Sequence, residues 1–159
     1  MKLENMYQEI ILDHYKHPHG KGLAESYDAE VHHVNPTCGD EITLRVTRGE
    51  DGKFSVSYDS MGCSISQASA SIMFDQINGH DFEFGEAAVD HLIAMLQRSV
   101  DADEEILGDG IALAGVAQYP ARVKCALLAW MAWKDAAIQA GSANSTSIID
   151  SDESNKEQI

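Results

Sequence analysis

Basic residues are scarce in this sequence, and cysteines scarcer still. Eleven Lys and Arg stand against 26 Asp and Glu in 159 residues, a formal net charge of −15. The imbalance concentrates in residues 80–110, where nine acidic side chains meet one basic one, Arg98, for a local charge of −8. Such a field repels phosphate backbones, so nucleic-acid binding is excluded. It leaves room for a basic protein partner, or simply for a solvated face. No apolar run approaches the ~20 residues of a membrane span, and no membrane association is expected. The opening stretch MKLENMYQEI has no apolar h-region, so a cytoplasmic location with reduced thiols is expected. Three cysteines are an odd number, and no CxxC pair occurs among them. A closed disulfide framework is thereby excluded, and clustered thiols point to metal or thiol chemistry.

What is present suits one domain: the length, and a hydrophobic fraction of 44%, ordinary for a globular chain. Residues 4–15 place Met6, Ile10 and Ile11 at helical spacing, and Pro18, Gly20 and Gly22 end that segment. Residues 29–34 read as a short strand. Residues 41–48 and 53–59 alternate apolar and polar positions around the turn Gly49-Glu50-Asp51-Gly52, the pattern of an antiparallel hairpin with one covered face. Ser64 and Gln67 predict a capping box for a helix over 65–78, with Gly79 at its end. Further helices are expected over 86–98 and 111–118. A long last helix is expected to start at Pro120 and end near Gly141. Trp130 and Trp133 in that helix read as core. Residues 142–159 are polar and acidic and read as a disordered tail after a domain at 1–141. Strands and helices segregate along the chain, which predicts an α+β fold.

Each cysteine falls at a seam between elements. Cys38 lies in the turn NPTCGD, Cys63 just before a helix, and Cys125 in the second turn of the last helix. If these seams meet at one edge, three thiolates and the Asp40 carboxylate supply four donors for a tetrahedral zinc ion. Gly39 allows the compact turn that brings Cys38 and Asp40 to one ion. Taken singly, each residue has a plainer reading, Cys125 as a small buried hydrophobe and Asp40 as a turn former. Residue chemistry alone does not separate the three thiols as nucleophiles. His14, His17, His19, His32 and His33 read as solvent-facing or hydrogen-bonded side chains rather than ligands.

The stretches MYQEIILDHYKHPHGKG, NPTCGD, MGCSISQASAS and YPARVKCALLAW together resemble the IscU/NifU-N family of iron–sulfur cluster assembly proteins, over residues 6 to about 138. The resemblance implies a three-stranded antiparallel sheet with helices packed on it, and Cys38, Asp40, Cys63 and Cys125 as site residues. Two departures point to the SufU-type subgroup. Lys124, not histidine, precedes Cys125, and no LPPVK-type chaperone stretch is present. The span from Cys63 to Cys125 also carries a helical insertion of roughly twenty residues. The subgroup implies a zinc-dependent sulfurtransferase of the Suf system. In that reading Cys38 leaves the zinc and accepts persulfide sulfur from the cysteine desulfurase SufS, then passes it to downstream Suf scaffold proteins. Asp40, Cys63 and Cys125 keep the ion, and Arg122 supports the site or faces the partner. The alternatives are a scaffold holding iron or a transient [2Fe–2S] cluster on the same cysteines, and a purely structural zinc module.

Overall fold

A computed structural model describes residues 3–142; apart from Ser142, the tail expected at 142–159 lies outside them. The first helix, α1, spans Leu3–Lys16. Three strands follow, β1 at Ala29–Asn35, β2 at Asp40–Arg48 and β3 at Phe54–Met61. They form one antiparallel sheet in the order β1-β2-β3. Then come α2 at Ser64–Ile77, α3 at Phe82–Leu96 and a single turn, α4, at Glu104–Leu107. A 3-10 stretch at Gly108–Gln118 leads into α5 at Pro120–Ala137, which closes with a π turn at Ile138–Ser142. The α+β architecture expected from the sequence is the one observed. No helix among the described residues is long and apolar enough to cross a membrane.

The sheet follows from the period of two. Ile42, Leu44 and Val46 are buried on β2, with Val31 opposite Leu44 on β1 and Tyr58 opposite it on β3. A slip of one residue would turn this set toward water, so the apolar pattern fixes the register. The covered face meets α5, which also packs against α2, α3 and the 3-10 stretch. Pro120 opens α5 as expected. Trp130 and Trp133 are fully buried within it. Trp130 Nε1 donates to Ser69 Oγ at 2.8 Å, and Ser69 Oγ donates to the Ala126 carbonyl at 2.6 Å. This relay fixes how far α2 stands along α5.

Several boundaries differ from expectation. The capping box at Ser64 does not form: Cys63 is the N-cap, and Gln67 instead accepts a hydrogen bond from Ser60. The helix expected at 86–98 starts four residues early because Asp81 caps it, accepting from the Phe84 amide at 2.9 Å. Gly85 lies inside that helix where any side chain would strike the Trp133 ring. The expected helix at 111–118 is part of an eleven-residue 3-10 stretch, far longer than the three or four residues usual for that geometry.

β1 and α5 are joined by His33 Nε2 and Asp135 Oδ2 at 2.8 Å. The hydrogen bond to His33 holds the Asp135 carboxyl below its ordinary value, against partial burial. A carboxyl with a lowered folded pKa adds stability above the ordinary aspartate range, ~3.9, and loses it as pH falls through the lowered value. Asp135→Asn should therefore flatten the acid limb of the stability profile. Urea midpoints at pH 7 and below pH 4 check this: wild type should lose more between them than the variant does.

Candidate metal centre

β2 does more than cover the core. Its buried positions continue outward from Ile42 to Asp40, which is 1% exposed. A carboxylate so placed needs hydrogen bonds or a cation. Asp40 Oδ1 accepts from the Cys63 amide at 2.8 Å, and Oδ2 lies 3.9 Å from Cys63 Sγ. Asp40 thus serves the N-cap amide of α2, the role a capping box gives to a residue inside the helix. Gly62 makes this possible. Its φ is +140°, and a Cβ there would run into the Asp40 carboxylate and Cα.

The four-residue turn Pro36–Gly39 closes the β1–β2 hairpin above the Asn35–Asp40 pair. The Cys38 and Gly39 amides both bond to the Asn35 carbonyl, at 3.2 and 2.9 Å. Gly39 has φ +72° with no atom within 4 Å of where a Cβ would stand. Conformation rather than crowding therefore calls for glycine there. Cys38 Sγ lies 3.2 Å from Cys125 Sγ and 3.9 Å from the Ala121 carbonyl. Cys125 is fully buried in α5. Burial pushes its thiol well above the ordinary range, and hydrogen bonds involving Asp40, Cys38 and Cys63 push the same way.

The structure thus brings all four expected donors to one edge. Sulfur or oxygen atoms of Cys38, Asp40 and Cys125 lie within 4.8 Å of one another, and Cys63 joins through Asp40. Tetrahedral zinc with ~2.3 Å bonds to sulfur and ~2.0–2.2 Å bonds to oxygen places its ligand atoms ~3.4–3.8 Å apart. The observed 3.2 and 3.9 Å separations bracket that span. The donor set therefore fits a zinc ion. Arg122 is exposed at the rim, beside the cysteines. The Cys63 thiolate first, then Cys125 and Cys38, raise the guanidinium pKa further above its ordinary value. Beside it, between α1, the start of α2 and the start of α5, opens a cleft of about 530 Å³, lined in part by Tyr7, Ile11, Ile65 and Tyr119.

Two supporting residues escape sequence reading. Asn35 is buried and donates from Nδ2 to Cys125 Sγ at 3.7 Å. Gly62 is required by contact with Asp40, 22 positions earlier. The Asn before Pro36 and the Gly before Cys63 were the available signals. His14, His17, His19, His32 and His33 each lie within hydrogen-bonding distance of a carboxylate.

Residues 6–126 match the NifU-like N terminal domain. The chain belongs to that family. It is 41% identical over 131 residues to the zinc-dependent sulfurtransferase SufU of Bacillus subtilis, covering 82% of this chain and 88% of that one. It is 40% identical over 135 residues to the iron–sulfur cluster assembly scaffold protein IscU of Streptococcus pyogenes, covering 85% and 84%. Among solved structures, FiSufU of Fervidobacterium islandicum superposes with a TM-score of 0.76 at 32% identity, covering 85% of this chain and 98% of that one. The N-terminal NifU-like protein of Brucella abortus does so at 0.80 and 25% identity, covering 88% and 97%. The chain is an iron–sulfur cluster assembly protein of the IscU/SufU type.

Gly62→Ala should cost about 1–3 kcal/mol of stability, the range for forcing a side chain into a strained site. It should also loosen the metal centre. Gly39→Ala, which meets open space, should cost less. Urea unfolding of the two variants beside wild type measures both.

Proposed function

We propose that this protein is a zinc-dependent sulfurtransferase that takes persulfide sulfur from a cysteine desulfurase of the SufS kind. The observation that carries the reading is the unequal mounting of the three thiols around one buried carboxylate. Cys63 is fixed at a helix N-terminus and Cys125 is buried within a helix. Cys38 sits on a hairpin turn, partly exposed, next to a glycine with open space around it. Of the three, Cys38 is the thiol that can approach a partner without disturbing the frame. The similarity to the zinc-dependent sulfurtransferase SufU of Bacillus subtilis supports the reading of zinc-dependent sulfur transfer.

Cys38, Asp40, Cys63 and Cys125 are the residues that would hold zinc. The ion, when bound, would stabilise the thiolate forms and shield them from oxidation. The Cys38 thiolate attacks the terminal sulfur of the donor's persulfide. A new S–S bond forms on Cys38, the donor's S–S bond breaks, and its cysteine leaves as a thiolate. Sulfur changes hands without net oxidation or reduction, and the transferred proton remains on the persulfide. Arg122 at the rim offers a planar cation to a partner's carboxylate or to the departing thiolate. The adjoining cleft leaves space for the segment that carries the donor cysteine. Downstream Suf scaffold proteins would receive the sulfur.

The similarity to the Streptococcus pyogenes IscU favours a second reading, in which the same cysteines assemble a labile [2Fe–2S] cluster. Metal analysis of protein purified without oxygen separates the two. One tightly held zinc per chain supports transfer, whereas iron with acid-labile sulfide supports the scaffold.

The deciding assay is desulfurase turnover with and without this protein. Wild type should stimulate it, and Cys38→Ala should remove the stimulation while far-UV circular dichroism stays unchanged. A Cys38→Ala protein that still stimulates overturns the assignment. Asp40→Ala should weaken zinc at least tenfold in competition with a chromophoric chelator, in line with losses on removing ligand-shell groups. Unchanged affinity removes Asp40 from the ligand set.

A further inference from the structure

A second cluster of metal-binding side chains lies toward the opposite end of α2. One ring nitrogen of His14, one of His19 and one carboxylate oxygen of Asp75 all stand within 4.8 Å of one another. Asp75 follows Cys63 by twelve residues along the helix, so the cluster is ~18 Å from the cysteine centre. We propose that His14, His19 and Asp75, supported by Asp109, bind a divalent first-row transition-metal ion such as zinc.

Both histidines are held in place. His14 is 2% exposed, with Ser71 Oγ 2.7 Å from its Nδ1 and Asp109 Oδ2 2.8 Å from its Nε2. Both ring nitrogens have partners, so an ion would take the place of one while the other keeps the ring oriented, as in metal-binding histidines. His19 is anchored through its backbone: its amide donates to Ser71 Oγ at 2.8 Å, and its carbonyl accepts from Tyr58 OH at 2.8 Å. The next residue, Gly20, has φ +74° and lies against the Phe74 ring where a side chain would clash. Ser71 thus secures both histidines from one buried position.

The remaining freedom belongs to the exposed groups. His19 Nδ1 and Asp75 Oδ2 are 2.6 Å apart, with both side chains more than 40% exposed. Ligand atoms around a tetrahedral zinc lie ~3.3–3.5 Å apart. Small side-chain rotations would open the short pair and draw in the longer ones. Charge favours the ion as well. The Asp75 and Asp109 carboxylates stand 2.6 Å from His19 and 2.8 Å from His14, and a divalent cation would balance the two carboxylates. Glu9 and Asp13 line the shallow cleft over His14 and Asp109 and add to the negative field. Two imidazole nitrogens with carboxylate oxygen suit zinc or ferrous iron. Calcium and magnesium prefer oxygen throughout.

The test uses the full chain without a tag, with its cysteine centre already filled by zinc. Equilibrium dialysis against micromolar free Zn²⁺ should give two zinc ions per chain. His19→Ala and Asp75→Asn should each return the count to one, with thermal midpoints near wild type because both side chains are exposed. Co²⁺ supplied as the second equivalent should show weak d–d absorption without sulfur-to-metal charge transfer. Three results each overturn the proposal: a single equivalent in wild type, a second equivalent that survives both substitutions, or a cobalt spectrum carrying a thiolate band.

Discussion

The edge of this fold is organised around a buried carboxylate. Asp40 ends the apolar stripe of β2 and has almost no contact with water. An uncompensated ion in such a place costs several kcal/mol. The compensation comes from chain segments that would otherwise have no reason to meet. The Cys63 amide bonds one carboxylate oxygen, Gly62 passes close enough to exclude any side chain of its own, and three sulfurs gather nearby. A bound cation would add the positive charge that hydrogen bonds alone do not supply. Asp40 caps α2 through one oxygen and leaves the other facing the sulfurs.

Convergence also depends on how α2 and α5 are locked. Ser69 stands six residues after Cys63, and Ala126 directly follows Cys125. The relay from Trp130 through Ser69 to the Ala126 carbonyl fixes the two helices against each other. It sets the height of Cys125 relative to Cys63. Asn35 then joins the hairpin to α5 by bonding Cys125. The site is thus positioned by core packing beneath it, and its geometry is as firm as the tryptophan that anchors the two helices.

Much of this was legible in the sequence because it is local. Alternation over 41–48 gives the buried face of β2, Pro120 marks the start of α5, and each cysteine falls at an element boundary. The features that were not legible depend on residues far apart in the chain. Ser64 and Gln67 match a capping box, yet the acceptor at that amide arrives from β2, 23 positions away. The helix at 86–98 starts earlier, at Phe82, because Gly85 fits against the Trp133 ring, 48 positions away. The 3-10 course of 108–118 carries no local signal that separates it from an α-helix. His14 and His19 were read singly as hydrogen-bonded side chains, and each is; only the fold shows that Ser71 holds both beside Asp75.

The mounting of the thiols bears on how sulfur transfer and structural integrity can coexist. If the mobile thiol sat on α2 or α5, each approach to a partner would pull on Asp40 or on the Ser69–Trp130 relay. Cys38 is free of both constraints. Its turn is held at its base by the Asn35 carbonyl, which accepts from two amides, while the sulfur itself touches Cys125 and one backbone carbonyl. Moving it breaks no hydrogen bond that supports the sheet or the helices. Asp40, the N-cap cysteine and the buried cysteine can keep their contacts while the Cys38 sulfur moves, so a movable thiol is compatible with a rigid frame.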